Sequence, residues 1–172
     1  MRWGISAAPI PPQLPFAAEI TAACAALPGG FPPCFLYAIK LNETSLSDDA
    51  AEMQIGTVPG TDHLADGSNA GHGIFQLTSS WPSNWADPRA NADYALRHYL
   101  LPAIAFFRDQ IPTLVGSDLI RCAAAAYNAG EGGAWQGHVE RGDVDAFDTD
   151  HYGVRALTHF AWLLRGAVGD PP

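Results

Sequence analysis

Three short segments hold side chains suited to acid–base chemistry and to recognition of a polar polymer. In the first, Glu43 follows the apolar run Phe35-Leu36-Tyr37-Ala38-Ile39, interrupted only by Lys40 before Leu41. A carboxylic acid at the edge of an apolar helix is partly desolvated. Desolvation disfavours the charged form and raises the pKa, as a general acid working at neutral pH requires. The second segment is Gly71-His72-Gly73-Ile74-Phe75-Gln76-Leu77-Thr78. Its two glycines let the backbone come close to a ligand or another segment, and Gln76 offers a donor and an acceptor to sugar hydroxyls and acetamido groups. In the third, Ala126-Tyr127-Asn128-Ala129-Gly130, an aromatic ring and an amide arrive together where a glycine stops a helix. Tyr127 can pack on a sugar face while Asn128 bonds its polar groups. Taken one at a time, each has a plainer reading: a surface Glu, a Gly-rich turn before a core segment, and a helix stop with a core Tyr.

Their order along the chain favours the chemical reading. An apolar helix ending in Asn42-Glu43-Thr44-Ser45, then Gly-His-Gly-Ile-Phe-Gln-Leu-Thr, then Ala-Ala-Tyr-Asn-Ala-Gly, resembles the lytic transglycosylase family of lysozyme-like, mainly α-helical enzymes. It is similar also to the related goose-type lysozymes. The family pattern ends with a Tyr before the last helix, and Thr149-Asp150-His151-Tyr152-Gly153-Val154 is similar to that piece. The resemblance spans roughly Phe35 to Leu164. It implies that Glu43 is the catalytic acid and base, and that Gln76 and Asn128 are polar residues beside it and the sugar. By the same resemblance Tyr127 and Tyr152 are aromatics of the catalytic centre, and Gly73 allows close approach, with Ile74 next to it on the substrate side. Thr44 stands where the family usually has Ser, and Ser45 comes next as a substrate-binding candidate. Phe75 replaces the usual Met. The stretch between Glu43 and Gly73 is longer than in compact members, as extra groove wall would require.

The resemblance implies an activity on bacterial peptidoglycan, at the β-1,4 bond between N-acetylmuramic acid and N-acetylglucosamine. In the lyase form of that reaction Glu43 serves alone, first as acid and then as base, leaving a 1,6-anhydromuramoyl end and needing no cofactor. In the hydrolytic alternative a second carboxylate activates water, and Asp66, with Asp62 behind it, lies near the position where goose-type lysozymes carry an assisting Asp. Both are equally readable as loop residues making local turn hydrogen bonds. A third alternative is a non-catalytic wall-binding or structural module. His72 can shape the groove or be a plain loop residue, and Trp81, Trp85 and Trp135 can stack on sugars or pack a core. No Cys-x-x-Cys, His-Glu-x-x-His or phosphate-binding Gly-x-x-x-x-Gly-Lys spacing occurs, so no metal or nucleotide site is expected.

The elements that must position these residues are mostly helices. An Ala-rich run from about Pro15 to Leu27 is helix-compatible, the cluster Leu27-Pro28-Gly29-Gly30-Phe31-Pro32-Pro33 stops it, and Cys34 to Leu41 should be a buried helix carrying Glu43 near its C-terminal end. Residues 44–72 read as a long irregular segment lining the groove. Asp87-Pro88 reads as cap and first residue of a helix reaching about Phe107, bent near Pro102. Ser117 is a candidate cap for a helix from Asp118 to about Asn128, ended by Gly130, with 131–148 a Gly- and Asp-rich loop. A last helix from near Asp150 to Leu164 should bury Val154, Leu157, Phe160, Ala161 and Leu164. The expected class is mainly α: a single lysozyme-like domain over 1–172, with 1–13 an extended arm.

Composition bounds the partners. With 9 Lys+Arg against 18 Asp+Glu, the net charge is −9, which disfavours nucleic acid and anionic membrane surfaces. The uncharged stretch Ile20–Ile39 is broken by the Pro/Gly cluster, so no membrane span is expected. The start lacks a basic region followed by an apolar run, so no signal peptide is read. The expectation is a monomer acting at the bacterial wall, in the periplasm or outside the cell, encoded by a phage or delivered by a virion or secretion apparatus. Cys24, Cys34 and Cys122 read as small buried hydrophobes, with a Cys24–Cys34 bridge open in an oxidising compartment.

Overall fold

In the computed structural model of the protein, which describes residues 4–59, 61–148, 150–167 and 169–172, the Ala-rich run forms α1 (Ala17–Ala25). Leu27 to Phe31 turn the chain. Pro33 then opens α2 (Pro33–Thr44) at a position where a missing N–H costs nothing. Every residue of α2 from Cys34 to Leu41 is buried, Lys40 included. A helix apolar on all sides has no stable place except the core. α1, the last helix and the turn around Gly73 pack around it. Each fully buried Phe, Leu or Ile there contributes about 1.5–3 kcal/mol. The arm from residue 4 onward is non-helical. It is held by Ile10 in the core and by Cys34 Sγ, which lies 3.2 Å from Ala8 O; Met1–Trp3 lie outside the described residues.

Among the described residues of 46–72 there is no helix, as the sequence predicts. Isolated antiparallel bridges fold the segment back on itself at Thr57–Leu64 and His63–Asn69, and Met53–His72 and His72–Leu77 close its base. Gly73–Phe75 is a single 3-10 turn. Asp87 caps α3 (Pro88–Ala95) by accepting a 2.8 Å bond from Ala90 N. The expected bend at Pro102 is a π turn, Leu96–Leu100, just upstream of it. Pro102 has no N–H to give and its ring crowds the preceding turn, so the ladder widens and Leu101 N donates five residues back, to Leu96 O. α4 (Leu101–Gln110) then completes the run.

Two expectations are corrected in α5 (Gly116–Arg141). Ser117 does not cap it; the helix already starts at Gly116, after an extended Val115 that makes no side-chain cap. Nor is the stretch after Gly130 a loop throughout. Gly130 stops the first helical stretch where expected (φ 73°, ψ 159°), but a second helical stretch follows it directly and runs to Arg141. Glycine content made 131–141 read as loop. At Gly137 glycine serves packing instead, since a Cβ there would lie 2.6 Å from Asp143 O.

α6 (Tyr152–Leu164) is where expected, but with a different inner face. Tyr152, Gly153, Ala156, His159, Phe160 and Leu163 are buried, whereas Val154 and Leu164 are exposed. The N-terminal anchors of α6 rotate it. Asp148 Oδ2 accepts from Tyr152 N at 2.7 Å, and the fully buried Asp145 accepts from Gly153 N at 2.7 Å and from Arg121 Nε at 2.8 Å. Asp145→Ala strips Arg121 and Gly153 N of their shared partner. It should cost about 2–3 kcal/mol in urea unfolding. An unchanged midpoint would show that the buried carboxylate is dispensable.

Among the described residues the class is mainly α, with bridges but no regular strand. No described helix is long and apolar enough to cross a membrane. Cys24, Cys34 and Cys122 are buried and free. Burial pushes the Cys24 thiol up to about 12 and the Cys34 thiol to about 11, so neither is a ready nucleophile.

Candidate active site

Glu43 sits in the last turn of α2, where the helix leaves the core and meets a cleft. The chain downstream of it is held by Lys40, whose Nζ donates to Ser45 O at 2.7 Å and Ser47 O at 2.8 Å. A buried ammonium is costly unless it is bonded, and here it fastens the residues after Glu43. Burial brings the Lys40 ammonium down to about 8, against the opposing pull of Glu52 and Asp48. In sequence Lys40 only interrupts an apolar run; nothing local marks it as a clamp. Ser45, a substrate-binding candidate, turns away at positive φ (50°), is exposed and is not among the cleft-lining residues. Thr44 instead faces inward and donates through Oγ1 to Ile74 O at 3.1 Å, tying α2 to the Gly73 turn.

That turn is built by backbone that few residues can adopt. Gly73 has φ +68°, and an added Cβ would lie 2.6 Å from Asn91 Nδ2 and 2.9 Å from Trp85 O. Asn91, fully buried on α3, donates to His72 O at 3.0 Å and accepts from Phe75 N at 2.9 Å. Gln76 is left-handed (φ 46°), and its Nε2 donates to Gly73 O at 2.9 Å and Glu52 O at 3.3 Å. Its side chain thus closes the turn while lining the cleft. Ile74 is fully buried, so it supports the turn from the core side and its side chain does not face the cleft. His72 is also buried. It stacks on Trp81 at 3.8 Å and meets Trp85 edge-on at 5.0 Å, so these three rings form a wall behind the turn. Trp135 lies elsewhere, against Phe106 and Phe107.

Three tyrosines face this turn. Tyr152, at the start of α6, donates its hydroxyl to Glu43 Oε1, and Asn42 Nδ2 holds the Tyr152 carbonyl at 3.0 Å. Tyr127 stacks on Tyr152 with centroids 6.3 Å apart and donates to Phe75 O at 2.7 Å. Tyr99 packs against Tyr127 at 5.6 Å and holds both backbone groups of Ser80 at 3.0 Å. The resulting cleft of about 290 Å³ is lined by Glu43, Gln76, Tyr127 and Asn128, with Gln54, Tyr99 and Thr78 among the rest. Gln54 and Tyr99 are additions that sequence reading missed, while Thr78 closes the second of the three segments. Gln54 lies in a segment without a motif, and Tyr99 is one aromatic of an apparently continuous helix.

The carboxylates divide sharply. Burial drives Glu43 up to about 7, against the opposing Tyr152 hydroxyl bond and the Arg155 charge. Asp66 is exposed. It accepts from Ser68 N at 3.0 Å and Ser68 Oγ at 2.6 Å, contacts that hold its carboxyl below its ordinary value. It closes its own turn and is not among the cleft-lining residues. Asp62 is exposed and lies 3.8 Å from His72 Nε2. Thr149 of the last motif lies outside the described residues, and no group of metal-ligating side chains occurs among those described. Comparison with models of known families, with curated proteins and with solved structures gave no match.

Proposed function

We propose that the protein cuts the glycan strands of bacterial peptidoglycan at the bond between N-acetylmuramic acid and N-acetylglucosamine, as a lysozyme-like lytic transglycosylase. One observation carries this reading. Among the described residues Glu43 is the only carboxylate lining the cleft, and it is held near neutrality beside amides and tyrosines. A carboxyl with a pKa of about 7 is part protonated and part ionised at neutral pH, which suits one group to give a proton and then take one. An uncharged sugar polymer suits a cleft walled by aromatic rings and amide side chains.

In the proposed reaction Glu43 protonates the glycosidic oxygen, and the bond from that oxygen to the anomeric carbon breaks. The acetamido oxygen of the same muramoyl residue bonds to the anomeric carbon and carries the developing positive charge. Glu43, now ionised and stabilised by the Tyr152 hydroxyl, takes the proton of the C6 hydroxyl. O6 bonds to the anomeric carbon, the acetamido group leaves it, and the product is a 1,6-anhydro end. No water enters. Asp66 is not needed, in keeping with its commitment to Ser68. We place this action at the bacterial wall, as that of a phage lysin or of an enzyme delivered by a virion or secretion apparatus.

Cleavage of purified walls in heavy-oxygen water tests the reading by mass spectrometry. Anhydro ends free of heavy oxygen are expected; reducing ends carrying it would assign hydrolysis instead. Tyr152→Phe should lower kcat about tenfold, the effect of losing one hydrogen bond to a charged group. Because that bond holds the Glu43 pKa down, its loss should also move the alkaline limb of the pH profile upward. A limb that stays put would separate Tyr152 from the titrating group.

A further inference from the structure

The Glu43 cleft has a neighbour. A second lobe of about 270 Å³ adjoins it and shares Thr78, Tyr99, Tyr127 and Asn128 as lining residues. Glu131 is the only carboxylate lining this lobe, Ser79 and His98 also line it, and no Lys or Arg does. Glu131 is the first residue after the Gly130 break in α5. Among the described residues it makes no ion pair and no side-chain hydrogen bond. It is half-buried, so its charge is only partly screened.

A lone carboxylate among hydroxyls and an amide selects a cation that brings its own hydrogens. An ammonium has three donors to place, and Glu131, the Asn128 amide oxygen and the Thr78 or Ser79 hydroxyls can accept them. A divalent metal is usually held by several carboxylates or imidazoles, and no group of three or more His, Cys, Asp or Glu side chains placed to hold one occurs among the described residues. A free carboxylate on the substrate is disfavoured twice, by Glu131 and by the overall charge of −9. We infer that the Glu131 lobe binds the side-chain ammonium of a diamino acid in the peptide stem hanging from the glycan strand. This rests on the wall-cleavage reading and adds a preference to it: the enzyme favours strands whose stems keep a free ammonium.

The test uses titration calorimetry with disaccharide–peptide wall fragments carrying either a free or an N-acetylated stem ammonium. Glu43→Gln protein, which should bind without turnover, is expected to hold the free form roughly three- to fivefold tighter, the range for a partly exposed ion pair. The contrast should shrink at high salt and vanish in the Glu43→Gln, Glu131→Gln double variant. In turnover, Glu131→Gln alone should raise KM on free-ammonium walls by about threefold with kcat unchanged. Equal affinity for the two fragments, or a contrast that survives Glu131→Gln, overturns the inference. Failure of the underlying reading looks different: the parent protein then releases no glycan fragments from any wall, whatever the binding contrast.

Discussion

On the proposed activity, Glu43→Gln should lower wall cleavage to about a thousandth of the parent kcat while leaving the fold intact. The magnitude follows from the proposed double duty, since acid–base groups typically contribute about 10²–10⁴-fold and here one group would serve as both. Gln keeps the shape and can still accept from Tyr152, but it has no proton to give at the glycosidic oxygen. The same change should stabilise the protein, with a pH dependence whose sign is set by the pKa. Folding raises the Glu43 pKa from 4.5 to about 7, so the folded state holds its proton more tightly than the unfolded state does. Stability therefore falls as pH rises from about 4.5 to about 7, because the unfolded chain ionises first, and the loss is complete above 7. The neutral Gln escapes it. Glu43→Gln should gain on the order of 2–3 kcal/mol over the parent above pH 7 and nothing below pH 4.5. Urea unfolding at three pH values measures this. A variant no more stable at pH 8 than the parent would mean that the carboxyl is not desolvated. A variant that clears walls as well as the parent would remove Glu43 from the chemistry altogether.

Gly73→Ala should cost about 3 kcal/mol and at least a hundredfold in kcat. Alanine at φ +68° carries about 1 kcal/mol of backbone strain. The new methyl would stand 2.6 Å from Asn91 Nδ2 and 2.9 Å from Trp85 O, and forcing such contacts apart costs about 1–3 kcal/mol more. Asn91 can yield only by giving up its bonds to Phe75 N and His72 O, and the Trp85 carbonyl cannot yield without moving backbone. For a chain of this size the melting temperature should drop by roughly 10 °C. The activity loss has a separate cause. Phe75 O receives the Tyr127 hydroxyl and Gly73 O receives Gln76 Nε2, so a shift of the turn misplaces both lining residues, and small displacements in a positioned site are worth about a hundredfold. Gly132→Ala is the control. That residue is helical, and nothing lies within 4 Å of an added Cβ, so the substitution should be neutral or stabilise by up to about 1 kcal/mol. Equal melting of Gly73→Ala and the parent would show that the turn has room to spare.

Local signals placed most of the helices because they act over one or two turns. Asp87-Pro88 is a helix start by chemistry alone, and the bond from Ala90 N to Asp87 is what that chemistry predicts. The wholly apolar run from Cys34 had to be buried wherever the fold put it. Local signals misled where one residue type serves two purposes. Glycines at 132, 133 and 137 read as loop, but Gly137 is small so that the Asp143 carbonyl can approach a helix. The α6 face was misjudged because Asp145 and Asp148, bonded to its first N–H groups, set its rotation, and a hydrophobic count along the helix cannot see them.

The sequence by itself determined that Glu43 stands where an apolar helix ends, and that a Gly-His-Gly turn and a Tyr-Asn-Ala-Gly stop follow in order. Those facts depend only on neighbours along the chain. The tertiary structure decided what surrounds the carboxyl. It brought Tyr152, 109 residues away, onto Glu43 Oε1, buried Lys40 as a clamp behind it, left Asp66 bonded to its own turn, and set a second lobe lined by Glu131 beside the cleft. The physical reason is range. Helix caps and stops are settled by bonds a few residues long, whereas a pKa near 7 depends on which distant groups exclude water from the carboxyl and which donate to it.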